Sequence, residues 1–229
     1  MRLWQKVFDF LVVKPFFWLF FSFKTSGAEN LKGLSGPILI IGNHKSFIDS
    51  FALGAAVPLF CNLFPVSIMG KTQDFNNSRV QFLQKIGIVK LIYFLFGVFP
   101  ALKGIDLDSA LQRPKEILEE GGIVFIHPEG KVFHAEGIGQ FKKGASALAL
   151  MTNVKILPVV FRIQKRRLFR PSYFVKFGEI FSLPQDIDIE KGVDYMRDII
   201  VKLYQNLPKE QVVRQSAISW QPALKKNRF

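Results

Sequence analysis

With 229 residues, 49% of them hydrophobic and 21% charged, the chain is long enough to bury a core and too apolar to stay disordered. Its single cysteine, Cys61, excludes an internal disulfide framework. A net charge of +13, 25 phenylalanines and a mean hydropathy of +0.21 favour an anionic partner, and a membrane surface ahead of nucleic acid.

The first 24 residues read MRLWQKVFDFLVVKPFFWLFFSFK. Arg2, Lys6 and Asp9 recur at helical spacing, so the opening turns are amphipathic, and Pro15 is expected to break or kink the helix. Lys14 and Lys24 bracket only nine uncharged residues, well short of the roughly 20 that cross a bilayer. An interfacial anchor fits this pattern, with aromatic rings at the lipid boundary and lysines on head groups. Packing of the same helix on the domain's own core is the alternative. A cleaved secretory leader fits poorly, because Asp9 and Lys14 interrupt the apolar region. Residues 1–27 are therefore read as a membrane-interface helical segment, 28–211 as the main domain and 212–229 as a basic tail.

Further along, Ser50 to Gly70 carries no charge, but Pro58, Asn62 and Pro65 argue against a span. The apolar runs predict strands at 38–41, 66–69, 97–101, 123–126, 156–161 and 173–177. Helices are expected at 47–57, 78–93, 107–120, 143–152 and 190–206. Gly121-Gly122 supplies a left-handed cap, and Pro114 is expected to kink or divide its helix. Strands alternating with helices predict an α/β domain with a mixed, largely parallel sheet flanked by helices.

Such sheets place their chemistry at the carboxyl ends of strands, and four motifs fall there. The first is Asn43-His44-Lys45-Ser46-Phe47-Ile48-Asp49. With His44 on the turn and Asp49 in the following helix's first turn, the carboxylate fixes one ring nitrogen and frees the other to take a proton. Ser46-x-x-Asp49 is equally a variant capping box, with a purely structural acid at the helix N-terminus. The second motif is Phe99-Pro100-Ala101-Leu102-Lys103-Gly104, whose lysine suits an anion. The third, His127-Pro128-Glu129-Gly130-Lys131, is a turn that brings N–H groups and a carboxylate to the sheet's rim. The fourth is Phe141-Lys142-Lys143-Gly144, leading through an Ala/Leu-rich helix to Ile156-Leu157-Pro158-Val159-Val160. Separately, Lys165, Arg166, Arg167 and Arg170 form a basic run, readable as a solvated loop or as a docking surface.

Taken in order, these four motifs resemble the conserved blocks of the glycerolipid acyltransferase family, best known for the 1-acylglycerol-3-phosphate acyltransferases. The resemblance runs from about residue 28 to 183. It implies that His44 is the general base on an acceptor hydroxyl and that Asp49 orients it. Lys103 stands where the family's arginine contacts the acceptor phosphate, and Glu129 and Gly130 would line the acceptor site. The hydroxyl then attacks a thioester directly, with no metal, no cofactor and no acyl-enzyme, and backbone N–H groups hold the oxyanion.

Two departures stand out. Lys103 replaces arginine and loses the bidentate fork. Lys131 and Val132 occupy positions usually held by threonine and arginine, so Lys131 is a candidate second cation for the acceptor. The implied activity is transfer of an acyl chain from acyl-CoA or acyl carrier protein to lysophosphatidic acid, giving phosphatidic acid for phospholipid biosynthesis. The protein would sit peripherally on the cytoplasmic face of the cell membrane, against its anionic surface. One rival is the same chemistry on another lysolipid, such as a lyso-ornithine lipid; another is a non-catalytic basic lipid-binding protein. Nucleic-acid binding is disfavoured because most aromatics fall in apolar runs instead of interleaving with basic residues.

Overall fold

The computed structural model describes residues 3–58, 61–71, 78–102, 104–164, 170–184 and 186–208. Lys103, the basic positions Lys165, Arg166 and Arg167, and the tail 212–229 lie outside the described residues. The strands are β1 Ser22–Ser26, β2 Ile38–Gly42, β3 Val66–Gly70, β4 Val98–Pro100, β5 Ile123–Ile126, β6 Lys155–Gln164 and β7 Ser172–Phe177. The helices are α1 Leu3–Phe8, α2 Lys14–Phe20, α3 Asp49–Ala56, α4 Ser78–Lys85, α5 Ile88–Phe96, α6 Leu107–Glu119, α7 Lys143–Thr152 and α8 Ile189–Gln205.

One sheet takes the seven strands in the order β1-β7-β6-β2-β5-β3-β4. Every pairing is parallel except β6 with β7, so the sheet is mixed and largely parallel as expected. The continuous apolar runs of β2 and β5 follow from burial on both faces. Alternate side chains serve separate cores. Ile38 and Ile40 join Phe125, Leu157, Val159 and the helices α2 and α3. Leu39 and Ile41 join Val124, Ile126, Ile156 and the helices α6, α7 and α8.

Local chemistry sets the element ends. Gly121, at φ +80°, closes α6: its N–H bonds Leu118 O, and Gly122 N–H bonds Ile117 O, the pairing of a Schellman cap. Pro114 does not divide the helix, which is assigned without interruption through it. The expected helix over 78–93 is instead two, because Gly87 at φ +81° leaves helical space and begins α5.

The amino-terminal segment also differs from expectation. Helical structure runs without a break from Leu3 to Phe20, with a π-helical stretch at Asp9–Val13. Pro15 then sits in the first turn of α2, where a missing N–H is tolerated. One side of this segment belongs to the core: Phe17 is wholly buried, and the Gln5 amide donates to Val66 O and Phe96 O. The other side exposes Phe10, Leu11, Trp18 and Leu19, with Trp18 at 76%. Trp4 stacks on Phe94 of α5 at 4.8 Å between ring centroids. No helix among the described residues is long and apolar enough to cross a membrane.

Candidate active site

The site forms where β2 and β5 end side by side in parallel register. Gly42 closes β2, and a β-carbon there would lie 3.0 Å from Phe125, Phe161 and Val159 side-chain atoms, so the strand end admits no larger residue without rearrangement. Asn43 follows, fully buried. Its amide donates to Phe161 O at 3.0 Å and its carbonyl accepts from Phe161 N–H at 2.7 Å, extending the ladder to β6 beyond the last strand residue.

His44 is held by its backbone on both sides. Its N–H donates to Glu129 Oε2 at 3.1 Å and its carbonyl accepts from Phe133 N–H at 2.7 Å. Its ring Nδ1 meets Asp49 Oδ2 at 3.2 Å. Because His44 lies on the turn and Asp49 is the first residue of α3, a five-residue separation brings them together. Asp49 is wholly buried, yet its carboxylate is saturated: Oδ2 also accepts from Lys45 N–H at 2.6 Å and Ser46 N–H at 2.8 Å, and Oδ1 accepts from the Tyr173 hydroxyl. Of the capping box read from the sequence only the acid's half forms: the carboxylate accepts from Ser46 N–H, but Ile48 is the N-cap of α3 and no side chain caps it, while the same carboxylate meets the imidazole. Burial beside that carboxylate keeps the Tyr173 phenol protonated well beyond its ordinary range, so it remains a donor. With Nδ1–H given to Asp49, Nε2 of His44 is the basic nitrogen.

His127 stacks on His44 at 4.0 Å between centroids and 12° between planes. Its Nδ1 lies 3.1 Å from Gly42 O and 3.0 Å from Asn43 O, so the proton belongs on Nδ1, and Nε2 accepts from the Ser50 hydroxyl at 3.2 Å. Burial, then the neighbouring His44, lowers its pKa to about 4, so this second imidazole stays neutral at physiological pH.

Below the third motif, Glu129 is buried. Oε1 accepts from Gly139 N–H at 2.9 Å while Oε2 holds His44 N–H. Burial raises its pKa, with those two N–H groups and Lys45 opposing. Gly130 stands at φ +65° and closes the turn with a 2.9 Å bond from its N–H to His127 O. Lys45 turns towards the loop that follows, donating to Ala135 O at 2.6 Å and lying over the Phe133 ring at 4.8 Å. Arg162 reaches Glu136 at 3.1 Å and Arg197 reaches Gly139 O at 3.0 Å, so three cations tie this loop down.

A cavity of about 660 Å³ opens beside His44. Its walls include Phe47, Phe51, Met69, Val98 and Leu111, and its polar rim includes Lys131 and Lys142. That volume lies within the range of small-molecule sites, and the walls suit an aliphatic chain. Of the residues given a role in the sequence, His44, Gly130 and Lys131 line the cavity. Asp49 touches His44 and does not line the cavity; Glu129, expected along the acceptor site, does not line it either, and its carboxylate is spent on two backbone N–H groups. Lys103 is outside the described residues. Tyr173, 124 positions from Asp49, is a contact no local pattern signals.

The acyltransferase family model matches residues 22–162, from β1 into β6 and through both histidine motifs. The chain belongs to the acyltransferase family. Over 143 residues it is 32% identical to a chloroplastic 1-acyl-sn-glycerol-3-phosphate acyltransferase of Arabidopsis thaliana, an alignment covering 61% of this chain and 36% of that enzyme. Over 125 residues it is 26% identical to the human 1-acyl-sn-glycerol-3-phosphate acyltransferase beta, covering 55% of this chain and 41% of that protein. The matched part thus spans well under half the length of these two curated relatives. The fold is that of the crystal structure of the 1-acyl-sn-glycerophosphate acyltransferase PlsC from Thermotoga maritima. That likeness has a TM-score of 0.62 at 19% identity, and covers 90% of this chain and 81% of the other.

Proposed function

We propose that this acyltransferase moves a fatty acyl chain from a thioester donor to the free hydroxyl of lysophosphatidic acid, giving phosphatidic acid. The observation that carries the reading is His44 on the wall of an apolar cavity, with the buried Asp49 carboxylate 3.2 Å from its ring. The names of the relatives support the acceptor. In the reaction, His44 Nε2 takes the proton as the hydroxyl oxygen attacks the thioester carbonyl. Asp49 stabilises the imidazolium that forms. The tetrahedral intermediate collapses, the C–S bond breaks, and the thiolate leaves with the proton returned by His44. Acyl-CoA and acyl carrier protein both present such a thioester. Lys103 and Lys131 are the cations assigned to the acceptor phosphate.

The enzyme works at the cytoplasmic face of the cell membrane, held by the exposed aromatic side of α1 and α2. Basic charge and exposed aromatics together suit an anionic lipid surface. A second reading, another lysolipid acceptor, is favoured by Val132, which puts an apolar side chain on the cavity wall where the family carries arginine.

Purified protein incubated with labelled acyl-CoA or acyl carrier protein and a panel of lysolipids tests this directly. The expected product is labelled phosphatidic acid. Preferential acylation of a lysolipid without a phosphomonoester would transfer the assignment to the second reading, and no transfer to any acceptor would refute acyl transfer.

A further inference from the structure

We infer that Lys142 is a specificity-determining residue that reads the phosphate of a substrate bound beside His44. The inference rests on the acyl-transfer reading above and extends it to a residue of the fourth motif that has so far been given no role.

Lys131, Lys142 and Lys143 all border the cavity. Lys143 is matched: its Nζ lies 2.5 Å from Glu190 Oε1. Lys131 and Lys142 form no ion pair among the described residues. Lys142 is also fixed to the catalytic turn. Its backbone N–H donates to Pro128 O at 2.8 Å, which joins the segment before α7 to the Pro-Glu-Gly turn. Its side chain then lies across Gly130. A β-carbon at Gly130 would meet Lys142 Cε at 3.0 Å, Cδ at 3.1 Å and Nζ at 3.2 Å. The bare glycine therefore gives the ammonium its seat directly above the turn.

Two ammonium groups that line one apolar cavity and have no carboxylate partner among the described residues offer their charge to an anion bound there. A phosphate fits best, because it brings up to two charges and several acceptor oxygens to two lysines acting as point charges. Lysophosphatidic acid supplies such a group on the acceptor, and coenzyme A or the carrier's prosthetic arm supplies one on the donor. The shared chemistry is phosphate recognition at the Pro-Glu-Gly turn.

Steady-state kinetics on Lys142→Met, which keeps the aliphatic stem, separates the two sources. Loss of one charge-assisted contact should raise one KM by about 10- to 100-fold. It should leave kcat within about twofold, as expected for binding shared by ground and transition states. A rise in the acceptor's KM places the lysolipid phosphate on Lys142; a rise in the donor's KM places the donor phosphate there. Inorganic phosphate, used as a competitor, should inhibit the variant more weakly than the wild type. Lys142→Arg should restore the KM that Met raised. Unchanged KM values for both substrates in a folded Lys142→Met protein would overturn the inference, as would an equal penalty with an acceptor and a donor that both lack phosphate. A wild-type enzyme that transfers no acyl group refutes the functional reading instead, so the two failures are distinguishable.

Discussion

Asp49 shows how one side chain settles the geometry of an imidazole. Its two oxygens accept from the His44 ring, two backbone N–H groups and a buried phenol, which leaves the carboxylate saturated and the imidazole with one permitted tautomer. His127 meets the opposite boundary condition. Burial, and then the His44 ring stacked on it, lower its pKa to about 4 from an ordinary 6.5, against the two carbonyls on Nδ1, which favour the charged ring. Because the folded value lies below the unfolded one, the unfolded chain binds the extra proton between them. The stability involved is complete above the ordinary value and is lost as pH falls towards 4. A pH titration of the histidine ring resonances by NMR should therefore give His127 a midpoint near the value in the fold; a midpoint above 6 would contradict the packing described. His44 and Asp49 were legible in the sequence because a strand-to-helix turn brings residues of one short motif together. The contacts of Tyr173, Asn43 and Ser50 were not, since Tyr173 comes from β7 and the partners of Asn43 and Ser50 come from β6 and the end of β5, which only the folded sheet brings to this point. Glu129 was legible as an acid on a rim turn but not as a buried one, since its orientation depends on Gly139.

At the scale of elements, the buried strands were readable because apolar runs of this length must be covered on both faces. Edge strand β1 was not. Its sequence, Ser22-Phe23-Lys24-Thr25-Ser26, is mostly polar, and only its parallel pairing with β7 makes it a strand. The π-helical stretch before Pro15 was also hidden, because it follows from how the segment packs on α3. There Asp9 presses against Gly54, where a β-carbon would lie 2.8 Å from its Oδ1, and Oδ1 has no hydrogen-bond partner. Burial, opposed by Lys14, raises the Asp9 pKa from 3.8 to about 7. The native state then holds a proton that the unfolded state has released, so stability falls as pH rises between those values and stays low above them. Asp9→Asn should raise the unfolding free energy at pH 8 by up to about 4 kcal/mol, from about 1.36 kcal/mol per pKa unit. The gain should shrink as pH approaches 4. Equal melting curves of the two proteins at pH 8 would show that Asp9 is not buried in this way.

For the whole molecule, the amino-terminal helical segment meets α5 through Trp4 and Phe94, and Leu11, Trp18, Leu19 and Phe94 are each more than 60% exposed. Apolar side chains grouped in this way mark a surface that contacts lipid or protein. Deleting the segment is a poor test, since Phe17 and Gln5 belong to the core. Replacing Leu11, Trp18 and Leu19 by serine should leave the melting temperature near wild type and abolish co-sedimentation with vesicles rich in anionic phospholipid; undiminished pelleting would place the membrane contact elsewhere. The central claim is that His44, oriented by Asp49, removes the acceptor's proton. The most direct measurement is the single-turnover rate of acyl transfer to lysophosphatidic acid by His44→Ala, compared with wild type at matched folded concentration. The rate should fall by about 10²–10⁴, the usual contribution of a general base, with circular dichroism and melting unchanged. A folded His44→Ala protein turning over within a few-fold of wild type would contradict it.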